Sequence, residues 1–194
     1  MRRSPLILVL AVLVPVSAHA QHLTDLPGKH PTARTVALEA DVACTPARSW
    51  ELWATQSGSR FFAPDSRIEG RVGGPYTVMF FPREDPEGLV HGTAGAHLLA
   101  ADPGRFVAFE WVAFAGDDTK GANAPPYALP EQRLPDPLPT WVEIDFTAKG
   151  QGSHVAFRHY GFGEGELWGR SHAWFTRAWA GVLEAMKAAC TRPG

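Results

Sequence analysis

The chain has 194 residues, 45% of them apolar, with 18 basic against 20 acidic side chains and a formal net charge of −2. That length suits one domain with a real core, and the lack of any basic stripe or lysine run argues against nucleic acid as a partner. Seven Trp and eleven Phe suit a thick core, an apolar pocket, or both.

Residues 1–20 read as a cleaved signal peptide. Arg2 and Arg3 give a basic start, Leu6 to Val16 an apolar run interrupted by Pro15, and Ala18-His19-Ala20 the small residues that signal peptidase requires. A membrane span needs about 20 apolar residues, so this run predicts export, with no stable membrane anchor and a periplasmic or secreted product starting at Gln21. No Cys follows the cleavage site to carry a lipid. Removing Arg2 and Arg3 leaves 16 basic against 20 acidic residues.

Residues 21–34 are polar, with two prolines and a glycine, and read as a flexible lead-in to a single domain over 35–192. Val36, Leu38, Ala40 and Val42 alternate with acidic residues, the period of a half-buried strand. Thr45-Pro46 is a helix start, a hydroxyl cap followed by proline at the first helical position. That short helix carries Trp50 and Trp53 and yields near Gly58, and a second short turn holds Phe61 and Phe62. Residues 66–72 and 76–81 flank Gly73-Gly74 as a hairpin. Residues 89–100 read as a strand, and Asp102-Pro103-Gly104 turns the chain into another over 106–114. A last hairpin pairs 141–148 with 154–162 around Gly150-Gln151-Gly152.

Between the last two of these features, residues 115–139 hold six prolines and little apolar periodicity. Such loops inside compact domains are often lids or binding loops; a solvated surface insertion is the other reading. The chain then ends in a long amphipathic helix from Trp168 to Cys190. Trp168, His172, Phe175, Trp179, Val182, Leu183, Met186 and Cys190 share one face, opposite Arg170, Arg177 and Glu184. So much aromatic surface requires a broad partner, and the antiparallel sheet is the only one available.

The two cysteines, Cys44 and Cys190, give an even count, which in an exported chain reads as a disulfide joining the end of the first strand to the end of the last helix. Two separate buried thiols are the alternative. The bridge is favoured because both cysteines sit at element ends.

Several of these segments, in this order, resemble the helix-grip superfamily of START-like and pollen-allergen-like (SRPBCC) domains, and within it bacterial homologues of the activator of heat-shock protein 90 ATPase. The resemblance rests on Val42 to Trp53 (VACTPARSWELW), on Arg71-Val72-Gly73-Gly74-Pro75-Tyr76, and on His91-Gly92 through Asp102-Pro103 to Phe109-Glu110-Trp111. Trp179-Ala180-Gly181-Val182-Leu183 resembles the closing helix. It implies an α+β helix-grip fold: a curved antiparallel sheet of about six or seven strands around a long C-terminal helix, with one or two short helices after strand 1. The 115–139 insertion and the leader are departures from that group, and export separates the chain from a cytosolic chaperone.

Alternation places Phe109 and Trp111 on the inner face of their strand, with Val107 and Ala113, and Glu110 outside. Ile144 and Phe146, with Val142, and Phe157 and His159, with Val155, complete the inner face. Opposite stand His172, Phe175, Trp179, Val182 and Met186 of the helix. Together they predict the lining of an apolar ligand cavity, although each alone fits a solid core. His159 and His172 are the polar members; either is a satisfied core histidine before it is an acid–base catalyst, and no catalytic residue is assigned. His91 and His97 lack ligand partners at a recognisable spacing, so no metal or cofactor is expected. His154 and His159 are five apart on a strand and face opposite ways. The predicted role is binding of a hydrophobic small molecule or lipid-like ligand. A cyclase- or aromatase-like enzyme using the same cavity is the first alternative, and a chaperone-activator-like interaction module the second.

Overall fold

The computed structural model describes residues 34–89, 92–111, 140–163 and 165–191. The expected leader, most of the lead-in, His91, Ala113 and the 115–139 insertion lie outside the described residues.

Strand β1 (Arg34–Val42) buries Val36, Ala40 and Val42 as its alternation predicts. Helix α1 (Pro46–Ala54) begins where expected: Thr45 Oγ1 accepts from the Arg48 amide at 3.3 Å and Pro46 opens the first turn. The chain then folds back so tightly that a Cβ on Gly58 would lie 2.0 Å from the Glu51 carbonyl oxygen. Only glycine fits there, and a 3-10 turn over Gly58–Phe61 follows.

The described residues form seven strands, in two groups. β1, β4 (Leu98–Asp102), β5 (Phe106–Trp111), β6 (Thr140–Lys149) and β7 (Gly152–Phe162) form a five-stranded antiparallel sheet in the order β1-β7-β6-β5-β4. β2 (Asp65–Ile68) and β3 (Tyr76–Met79) form the glycine-linked hairpin, which is a ladder of its own. Single bridges, Pro75 to His97 and Met79 to Gly92, tie it to the segment leading into β4, and Leu98 of β4 accepts from the Gly73 amide and donates to the Gly74 carbonyl.

The expected strand over 89–100 is shorter, because β4 begins only at Leu98. The reason is a side chain doing the work of backbone. Thr93 Oγ1 accepts from the Val78 amide at 2.8 Å and donates to the Tyr76 carbonyl at 2.7 Å, so these groups on the edge of β3 away from β2 are satisfied without a regular strand beside them. Gly92 makes this approach possible, since a Cβ there would lie 2.3 Å from the Val78 carbonyl oxygen.

Helix α2 spans Glu166–Thr191 and buries Phe175, Trp179, Leu183 and Met186. Arg177 and Glu184 are exposed, as the sequence pattern requires, whereas Arg170 is half-buried and its Nε is shielded from water. Cys44 and Cys190 are joined by a disulfide with their Cα atoms 4.9 Å apart, within the range such a bond tolerates. This is the helix-grip arrangement: one long C-terminal helix packed on an antiparallel sheet, with a short helix after the first strand.

Candidate functional site

Register sets the inner face of the sheet. One row across it runs Leu38, Phe157, Ile144, Val107; the next runs Val36, His159, Val142, Phe109, Leu98. Phe146 pairs with Val155 on the same face, and Trp111 closes β5 beside Thr140. Every expected inward residue of the described strands is therefore inward. Glu110 faces out, where its carboxylate accepts from the His97 amide and lies 2.9 Å from His97 Nδ1. His154 also faces out, against Asp41 at 2.8 Å. Lys149 and His154 together hold the exposed Asp41 carboxyl below its ordinary pKa.

Trp179 is the hub of the interface. Its ring centroid lies 4.8 Å from Trp111, 4.7 Å from Phe157 and 6.3 Å from Phe175. Toward the C-terminal end of α2, Met186 meets Trp53, whose Nε1 donates to the Met186 sulfur at 3.3 Å. Val182 is only half-buried at the margin.

Sequence reasoning missed three residues here. Trp53 is fully buried and packs against Phe109, Phe157 and Trp179. Tyr76 stacks on Phe109 with centroids 3.8 Å apart and donates its hydroxyl to the Trp53 carbonyl at 2.9 Å; burial pushes its pKa well up. Phe162 packs against both His159, at 4.6 Å, and His172, at 5.2 Å. The spacing of Trp50 and Trp53 hinted at an inward tryptophan, but nine residues of helix cannot say which one. Trp50 sits at the margin, half-buried, and donates to the Phe106 carbonyl at 3.0 Å.

The polar groups of this interior are few. Trp179 Nε1 donates to His159 Nδ1 at 3.0 Å. Burial holds the His159 pKa well below its ordinary value, and the charge of nearby His172 adds to the effect. His159 is thus a neutral imidazole with Nδ1 as acceptor and its proton on Nε2. Trp111 Nε1, His159 Nε2, Arg170 Nε and Ser171 Oγ are buried with no hydrogen-bond partner among the described residues. His159 and His172 do not form a bonded pair. Among the described residues no group of three or more His, Cys, Asp or Glu is placed to hold a metal. A surface depression over β1 and β7 is bordered by Ala37, Leu38, Glu39, Phe157 and Arg158, with no residue of α2.

Among the described residues no helix is long and apolar enough to cross a membrane. No curated protein matches the chain by sequence. Its fold is similar to that of the Aha1 dimer from Colwellia psychrerythraea, at 16% identity and a TM-score of 0.56, covering 81% of this chain and 96% of that one. An AHSA1-like protein from Rhizobium etli is 23% identical with a TM-score of 0.52, covering 83% and 85% of the two chains. CalU16 from Micromonospora echinospora is 12% identical with a TM-score of 0.54, covering 81% and 76%. The model of the family described as "Activator of Hsp90 ATPase homolog 1-like protein" matches residues 43–191, so the chain belongs to that family within the SRPBCC superfamily.

Proposed function

We propose that this protein is exported and binds an apolar small molecule between its five-stranded sheet and α2. The observation that carries this reading is the aromatic character of both sides of that interface: Phe109, Trp111 and Phe157 on the sheet face Phe175 and Trp179 on the helix. Flat, polarisable rings on both layers suit an apolar guest, which gains by leaving water. Export is supported by the basic, apolar and small-residue pattern of residues 1–20 and by the Cys44–Cys190 bridge, which persists in oxidising compartments.

An acid–base role of the cyclase or aromatase kind has less support. His159 spends Nδ1 on Trp179, and the Phe162 ring packs against both imidazoles. A chaperone-activator role fits the family's name, but a leader and a disulfide argue for a different compartment.

Native mass spectrometry of protein recovered from the exporting cell tests the reading. It predicts an extra mass that is lost on denaturation and extracts into organic solvent. Repeated recovery of the bare polypeptide mass contradicts it.

A further inference from the structure

The polar atoms of the interface say what kind of guest it takes. Buried polar groups in folded proteins are overwhelmingly hydrogen-bonded, and each exception calls for an explanation. Here two of the unpartnered buried atoms are nitrogens on rings that pack against the same side chain. Trp111 lies 4.8 Å and His159 6.0 Å from Trp179, centroid to centroid. Neither Trp111 Nε1 nor His159 Nε2 has a partner among the described residues.

Both are donors. Indole nitrogen can only donate. His159 Nδ1 is already taken as an acceptor by the Trp179 N–H, which leaves the proton of the neutral ring on Nε2. The interior therefore offers two N–H groups where an ordinary core would offer none. Leaving a buried donor unmatched costs about 1–3 kcal/mol, so a guest that supplies an acceptor is favoured over one that does not.

Resting on the ligand-binding reading above, we infer that the guest is an aromatic or otherwise flat apolar molecule bearing a neutral oxygen acceptor, such as a ketone or quinone carbonyl, received by His159 Nε2–H and Trp111 Nε1–H. A neutral acceptor fits better than a carboxylate. The strand residues that border the two donors, Val36, Val142, Phe109 and Phe157, are uncharged, and burying an anion without a cation is strongly unfavourable. Sites built to hydrogen-bond one group reject analogues lacking it, because their own polar atoms are then stranded. The donors thus set specificity, and the rings around them supply contact area.

The test uses two probes of the same shape, 9-fluorenone and fluorene, which differ by a carbonyl in place of a methylene. Their affinities for the disulfide-intact protein are measured by equilibrium dialysis. The expected result is tighter binding of fluorenone by about ten-fold, the worth of one to two neutral hydrogen bonds. His159→Phe and Trp111→Phe keep a ring and remove a donor, so each lowers the preference toward one. His159→Gln, which keeps an acceptor for Trp179 and an N–H beside it, retains part of it. Circular dichroism establishes that each variant is folded, and the Trp111 substitution serves if His159→Phe is not. Equal binding of both probes by the wild type overturns this inference and leaves the apolar-ligand reading standing. A preference that both Phe variants leave intact overturns it as well. Binding of neither probe removes the ligand reading and this inference together.

Discussion

Cys44 and Cys190 are bonded across 146 residues of sequence, their Cα atoms 4.9 Å apart. One lies two residues past the end of β1 and the other in the final turn of α2. The bond therefore pins the C-terminal end of the helix to the edge strand of the sheet that it covers. In the chain-entropy account, closing a loop of this length removes about 5 kcal/mol of unfolded-state freedom. Replacing both cysteines with Ala is expected to lower the urea-unfolding free energy by about 2–5 kcal/mol. A loss no larger than that of an ordinary surface substitution, about 0.5 kcal/mol, would show that packing alone holds the helix.

Thr93 supports a prediction about the shortened strand. Its hydroxyl is fully buried and serves both the Val78 amide and the Tyr76 carbonyl. Thr93→Val keeps the shape and strands both partners, at an expected cost of about 1–3 kcal/mol, while Thr93→Ser costs less. Hydrogen exchange at the Val78 amide reports the same event: it is slow in the wild type and in Thr93→Ser, and fast in Thr93→Val.

These two relationships differ in how far the sequence announces them. The disulfide follows from an even cysteine count at two element ends. The buried face of α2 follows from its 3.6-residue period, and the inner residues of β5, β6 and β7 from strict alternation, because each signal repeats along one element. What bridges elements does not repeat. Thr93 takes the place of a strand neighbour through one side chain, and nothing in the 89–100 segment marks this in advance. The grouping of seven strands into five and two depends on the same contact. Trp53 and Tyr76 enter the interior from short elements in which no period can develop. The unpartnered N–H groups of Trp111 and His159 are a property of surroundings, so inward alternation identifies the rings and only the packed structure identifies the missing acceptors.

His159 gives a pH dependence with a definite sign. Its folded-state pKa lies well below the ordinary value of 6.5, chiefly through burial and secondly through the charge of His172. Between the two values the unfolded chain binds more protons than the folded one, so stability rises with pH in that window. The contribution is whole above about pH 6.5 and declines as pH falls below it, until the folded-state pKa is reached. His97 and His154 also face carboxylates, so the measurement is a difference: unfolding free energy from pH 7.5 to pH 5 for wild type and His159→Gln. A shallower decline in the variant is expected. Superimposable slopes would mean that His159 is protonated as readily inside as outside.

The central claim, that an apolar guest sits between sheet and helix, is tested most directly by the seven indole N–H resonances of the protein labelled with 15N at tryptophan. Trp53, Trp111 and Trp179 line the interior, whereas Trp50 is bonded to the Phe106 carbonyl at its margin. Trp141 lies on the outer face, bonded to Glu143 and stacked on Tyr160. Titration with fluorene is predicted to shift the Trp53, Trp111 and Trp179 signals together, at one saturating concentration, and to leave that of Trp141 in place. Shifts confined to Trp50 and Trp141, or none at all, would contradict the account.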